Sequence, residues 1–211
     1  EHEITVFEAN DYIGGHTVTT PVESKGGSLA VDAGFIVYNE ASYPNFVKLL
    51  AELEVETQPT TMSFSVRSDR TGLEYAGTNL DTFFAQRSNL VRPSHYRFAG
   101  EILRFNKSAK QALGSGLAGT LGDFLAANRL SPALVENYVI PLTAAIWSTE
   151  PTRALDTPAR FILQFLDNHR LLGTSGYHPW RVVRGGSQRY VEKLIVPFAD
   201  RIRLRSPVRR L

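Results

Sequence analysis

Residues 4–17, ITVFEANDYIGGHT, pose the question on which the fold turns. Ile4–Phe7 is a β-branched and aromatic run of the kind a buried parallel strand carries, and it ends on an acid, Glu8. Six residues later Gly14 and Gly15 stand side by side. An ordinary strand and turn need neither feature. In a βαβ unit that binds a dinucleotide, the second strand ends on a carboxylate, about 20 residues past a glycine-rich turn, and that carboxylate accepts from ribose hydroxyls. Main chain without a Cβ lets a diphosphate come close to exposed amides. An acid at a strand end also arises by chance, and a Gly-Gly pair alone reads as a tight turn. Taken together at this spacing, they favour the nucleotide-binding reading.

The bulk numbers narrow the classes further. With 211 residues, 43% hydrophobic and 21% charged, the chain is long enough for one large domain or two smaller ones. A net charge of +2 argues against a general polyanion binder. The basic cluster Arg201, Arg203, Arg205, Arg209 and Arg210 lacks interleaved aromatics. It reads as a solvated strand face or a phosphate-facing edge, with no nucleic acid as partner. The absence of cysteine excludes disulfides, thiolate metal sites and cysteine nucleophiles, and is compatible with a reducing cytoplasm, the expected location. No apolar run nears the roughly 18 residues of a membrane span, and no signal peptide is visible.

Other chemistries fail on spacing. The five histidines, His2, His16, His95, His169 and His178, include no i, i+4 pair, so no metal is expected. GTSGYH and GGSQRY do not match the G-x-S-x-G elbow of a serine hydrolase. Trp147, Trp180, Tyr38, Tyr138, Tyr177 and Phe165 read as core aromatics or as the lining of a substrate cavity. Asp32, in VDAGF, reads as a loop anchor rather than an acid–base group.

Along the chain, HTVTTPVES and SLAVDAGFIVYN read as extended, and Phe46, Leu49, Leu50 and Leu53 fall at helical spacing after Pro44. MSFSVRSDRTGLEYAG alternates about the turn Asp69–Gly72, which predicts a hairpin. From about residue 80 to 172 the pattern is helical, with starts near Ser94, at Ser131-Pro132 and at Thr157-Pro158, and a glycine-rich joint over Gly114–Gly122. Gly185-Gly186-Ser187 opens one more amphipathic helix, and IRLRSPVRRL reads as a closing strand.

VFEANDYIGGHTVT resembles the segment after the second strand in flavin-dependent amine oxidases, phytoene desaturases and their relatives. VDAGFIVYNEASYPNFVKLLAEL is similar to that superfamily's next strand and helix, RGGSQRYVEKL to its Gly-Gly helix opening, and IRLRSPVRRL to the strand closing on adenine. IPLTAAIWSTEP and ALDTPARFILQFLDNH look most like a bacterial subgroup of predicted NAD/FAD-binding amine-oxidase-like proteins. The resemblance implies an α/β chain: an incomplete Rossmann-like FAD-binding domain over 1–58 and 183–211, and a largely helical substrate domain carrying the hairpin over 59–182. A G-x-G-x-x-G turn is expected ahead of Glu1. FAD is the implied cofactor, with Glu8 on the ribose and Gly14, Gly15, His16 and Thr17 beside the ribose and pyrophosphate. His16 stands where arginine is commoner, so any phosphate contact there depends on its protonation. Gly34, Phe35 and Ile36 would pass the isoalloxazine, and Val208 would hold the adenine edge through its main chain. The implied activity is hydride transfer from a small amine or apolar substrate to the flavin, with no catalytic residue assigned. A lipid or isoprenoid desaturase or isomerase on the same platform is the alternative, as is a non-catalytic nucleotide-binding protein.

Overall fold

A computed structural model describes residues 2–147, 150–174 and 176–210, so Ser148 and Thr149 of the IPLTAAIWSTEP stretch lie outside the described residues. The chain divides into two compact units, Glu1–Met62 with His178–Leu211, and Ser63–Tyr177. The elements run β1 (Val6–Phe7), β2 (Thr19–Ser24), β3 (Gly27–Asp32), α1 (Pro44–Glu52), β4 (Thr57–Thr60), β5 (Ser65–Arg67), β6 (Glu74–Ala76), α2 (Leu80–Phe83), α3 (Pro93–Leu113) and α4 (Leu121–Ala127). Then follow α5 (Pro132–Leu134), α6 (Ile140–Trp147), α7 (Pro151–Ala154), α8 (Ala159–Asn168), β7 (Trp180–Val183), α9 (Gln188–Ile195) and β8 (Ile202–Arg203). The architecture is mixed α/β.

In the first unit the strands form pairs. β1 and β8 run parallel, Val6 opposite Ile202, while β2–β3 and β4–β7 are antiparallel. The expected opening strand is shorter than ITVFEA, because the ladder has a partner only as far as β8 reaches. The closing strand is shorter too: after Arg203 the chain turns at Leu204 and Arg205, Arg205 taking φ +51°, and residues 206–210 are irregular. Pro207 has no N–H to extend a ladder. Pro44 sits at the first turn of α1, where its missing donor costs nothing. Tyr38, Leu50 and Val183 form a small core with Phe35, Phe46 and Tyr190 packed on it. Phe46 meets Phe35, Tyr38 and Tyr190 edge to face at ring-centroid distances of 5.2 Å each, a favoured aromatic geometry.

The second unit holds the larger core. Leu121, Leu134, Ala159 and Leu163 are fully buried, and Phe105 nearly so; each buried Leu or Phe contributes roughly 1.5–3 kcal/mol. β5 and β6 form the hairpin that the alternation predicts, Val66 opposite Tyr75. Side-chain caps fix the helix starts: Asn79 and Thr82 form a capping box on α2, Thr120 and Asp123 on α4, and Ser131 accepts from the Leu134 N–H at α5. The N–H and hydroxyl of Thr120 hold the Asp123 carboxyl below its ordinary pKa. Between α5 and α6 the backbone widens into a π turn, Val135–Val139, with the Ile140 N–H reaching Val135 O. Pro141 explains it: the ring cannot donate to Asn137 O and would clash with it in a regular α-turn. The freed Asn137 carbonyl accepts instead from the buried Tyr75 hydroxyl at 2.8 Å.

No helix among the described residues is long and apolar enough to cross a membrane, and no group of three or more metal-ligating side chains occurs among them.

Candidate functional site

The candidate site is the loop from Glu8 to Thr17 and the segments that brace it in the first unit. Glu8 ends the parallel pair: its N–H donates to Arg203 O at 2.9 Å, and its carbonyl accepts from Ser206 N at 2.8 Å. The half-exposed side chain turns over the loop, Oε1 accepting from the Asn10 N–H at 2.8 Å. One carboxylate oxygen therefore shapes the loop, and no hydrogen bond among the described residues engages the other.

Past it, Gly14 takes φ +121° and Gly15 φ +56°. A Cβ on Gly14 would stand 2.7 Å from Thr17 O, whereas one on Gly15 would meet nothing within 4 Å. Gly14 is therefore demanded by the tightness of its own turn, and Gly15 faces open space. Gly14 O receives the Thr17 N–H at 2.8 Å, closing the turn. Among the described residues the N–H groups of Gly15 and the exposed His16 donate to no protein acceptor. Successive amides left free in such a turn form an anion-binding concavity.

Three ties hold this loop. Thr17 is buried and its hydroxyl lies 2.6 Å from the Tyr190 hydroxyl on α9, so it faces the protein rather than open solvent. Gln188 Nε2 donates to Ile13 O at 3.3 Å. His16 O accepts the Phe35 N–H at 3.0 Å, an approach so close that a Cβ on Gly34 would fall 1.8 Å from that oxygen. Only glycine fits there. The absent side chain at Gly34 is thus used by chain packing.

Behind the loop lies a polar knot. Asp32 Oδ1 accepts from Thr19 Oγ1 at 2.6 Å and from Ser187 N at 2.8 Å, and Oδ2 accepts from Ser187 Oγ at 2.9 Å. Ser187 is 1% exposed, and its hydroxyl also lies 2.7 Å from Phe35 O, while Gln188 N donates to Thr19 Oγ1 at 3.0 Å. The first amides of α9 are thereby spent on side chains of β2 and β3. Asp32 is an anchor, as its place in VDAGF suggests. Ser187, Gln188 and Tyr190 were not foreseen as braces, because nothing local in GGSQRY names partners on the far side of the sequence.

The remaining sequence candidates are placed less centrally. Phe35 is half-buried against Tyr43 and Phe46, with its main-chain N–H and C=O both engaged. Ile36 is exposed. Val208 is exposed in irregular chain beyond β8, so the strand edge expected of it is not formed there; the turn at Arg205 and Pro207 breaks it.

The flavin containing amine oxidoreductase family matches over residues 1–211, and the chain belongs to it. Among solved structures, cyclohexylamine oxidase from Brevibacterium oxydans IH-35A superposes with a TM-score of 0.65 at 18% identity. Wild-type putrescine oxidase bound to putrescine gives 0.65 at 19%. Each covers 97% of this chain, and this chain spans 46% of each of them. At such identities the likeness establishes the fold, that of the amine oxidases. No curated protein matches.

Proposed function

We propose that the protein is an FAD-dependent oxidoreductase of amine-oxidase type, and that the unit Glu1–Met62 with His178–Leu211 supplies its cofactor-binding half. The observation that carries this is the Gly14–His16 turn: two unspent amides in a glycine concavity, next along the chain from a carboxylate with one free oxygen. In this reading the Glu8 carboxylate accepts from the ribose hydroxyls. The amides of Gly15 and His16 donate to the pyrophosphate, Thr17 and Gln188 hold that turn rigid, and Gly34–Ile36 runs beside the ring. FAD, once bound, supplies the hydride acceptor for oxidation of a small organic amine. The residues described here orient the cofactor and pre-pay the order of its phosphate loop; none moves a proton. Ser63–Tyr177 is assigned the substrate side. A bacterial cytoplasmic setting suits the resemblance and the lack of cysteine.

The test is flavin retention by the full-length purified protein. Wild type should show flavin absorbance bands. Glu8→Ala should bind FAD roughly 10- to 150-fold more weakly, the worth of about 1.5–3 kcal/mol for a charged hydrogen bond. Glu8→Gln, which keeps an acceptor for Asn10 N–H, should fall between. Asp69→Ala, in the exposed hairpin turn, should match wild type. Equal retention by all four would overturn the ribose assignment.

A further inference from the structure

A second feature lies on the other unit. The 3₁₀ turn Arg87–Val91 leads into α3, and the two present a continuous exposed strip. Val91 is 84% exposed, Leu103 54%, Tyr96 51% and Leu90 48%. Tyr96 and Leu103 are two turns apart on the outward side of α3, with the exposed Gly100 between them. The Tyr96 hydroxyl donates to Leu90 O at 2.8 Å, joining helix and turn. The opposite side of α3, with His95, Phe98, Phe105 and Ala109, is the one buried in the core. Tyr96 also meets the Phe84 ring at 5.3 Å, while Leu90, Val91 and Leu103 lie outside the core formed by the described residues.

Charge is concentrated in the same place. Residues 86–113 hold six basic side chains and one acid, Glu101, whereas the whole chain carries only +2; of the six, Arg87 is paired with Asp81 at 2.7 Å. Glu101 is committed to Arg104 and Ser131. Arg97, Lys107 and Lys110 have no acidic partner among the described residues, and all three are exposed.

We propose that this strip is a docking surface for a membrane leaflet bearing anionic headgroups. Leu90 and Val91 would enter the interfacial zone, Tyr96 would sit at headgroup depth, and the arginines and lysines would meet the lipid phosphates. The occupant follows from shape and charge. A valine 84% exposed stands proud of its own protein, which suits insertion rather than reception of a partner's side chain. Four apolar side chains among basic ones make a poor match to a stable protein interface, whose buried centre is depleted of charge. A second copy on this face would set one basic strip against another.

The experiment is co-sedimentation of the full chain with phosphatidylcholine vesicles and with vesicles in which phosphatidylglycerol replaces a third of the lipid. Binding is expected to the anionic vesicles, weakened by salt, with little to phosphatidylcholine alone. Lys107→Gln with Lys110→Gln should weaken it about 25-fold, roughly fivefold per charge. Val91→Glu with Leu103→Glu should abolish it without lowering the melting temperature. Arg209→Gln with Arg210→Gln, basic but remote in sequence, should leave it unchanged. Absence of anionic-vesicle binding by wild type overturns the proposal. So does concentration-dependent self-association that Val91→Glu removes, or a fall in melting temperature in Val91→Glu, which would mean the side chain is packed. Flavin retention is a separate readout, so neither this result nor the cofactor assignment decides the other.

Discussion

Removal of the Asp32 carboxylate is the sharpest perturbation of the cofactor-binding unit. Asp32→Ala takes away three hydrogen bonds at once, from Thr19 Oγ1, Ser187 N and Ser187 Oγ. Hydrogen bonds to a charged group are worth about 1.5–3 kcal/mol each. The Ser187 hydroxyl retains Phe35 O as an acceptor, whereas the Thr19 hydroxyl, which accepts from Gln188 N, loses the acceptor for its own proton, so two of the three losses count in full. Ser187 N is left buried without an acceptor. The expected cost is about 3–5 kcal/mol, a large part of the roughly 5–15 kcal/mol that a domain commands. Asp32→Asn keeps Oδ1 for Thr19 and Ser187 N and should cost about 1–2 kcal/mol. Urea unfolding followed by tryptophan fluorescence measures this: the chain has two tryptophans, Trp147 in the helical unit and Trp180 in β7, so a Trp147→Phe background isolates the relevant unit. With a urea slope of about 1–3 kcal/mol/M, the Ala variant should lower the midpoint by about 2 M. A shift worth less than about 1 kcal/mol, or equal losses for Ala and Asn, would refute the knot as the brace of the loop.

Three further outcomes follow from the geometry. Gly34→Ala should unfold or grossly loosen the loop, because its Cβ would fall 1.8 Å from His16 O, whereas Gly15→Ala, open on all sides, should cost only the left-handed backbone penalty of about 1–2 kcal/mol; thermal melts of the two compare them directly. Tyr75→Phe should cost about 1–3 kcal/mol in a denaturant titration, since Asn137 O, beside Pro141, would lose the Tyr75 hydroxyl. Burial drives the phenol pKa of Tyr75 and Tyr138 upward, with each also facing a neighbouring tyrosine, so the folded state keeps its protons where the unfolded chain, near the ordinary 10.0, gives them up. Their stabilising contribution is therefore complete below pH 10 and declines as pH rises above it; a Tyr75→Phe, Tyr138→Phe double variant should flatten that alkaline decline, and an unchanged slope would count against the burial argument.

How far the sequence disclosed all this depended on whether the signal was local. Pro44, Pro132 and Pro158 mark helix starts because a missing N–H is harmless only in the first turn, and α1, α5 and α8 begin beside them. The hairpin about Asp69–Gly72 was legible for the same reason, since turn chemistry and alternation lie within one short stretch. Helix α4 was hidden inside what reads as a glycine-rich joint: Gly122 lies within it, and the Thr120–Asp123 capping box outweighs the glycine. The β4–β7 pair was invisible, because TQPT carries a proline and its partner lies far along the chain. Glu8, Gly14 and Gly15 could be singled out by residue type and spacing. That Thr17 turns inward to Tyr190, and that Ser187 completes the Asp32 knot, depends on contacts across the fold to which no local pattern points.

The pairing of β4 with β7 has a bearing on how such a chain could be re-engineered. Thr60, the last residue of one strand, sits opposite Trp180, the first of the other, so the polypeptide departs from and returns to neighbouring points on the same two-stranded ladder. Residues 61–179 leave and return through this doorway. A short type I′ linker such as Asn-Gly could shut that doorway and turn the pair into a plain hairpin. Cassettes of other lengths could equally be spliced in there, because loop-closure entropy rises only slowly with the length of the excursion.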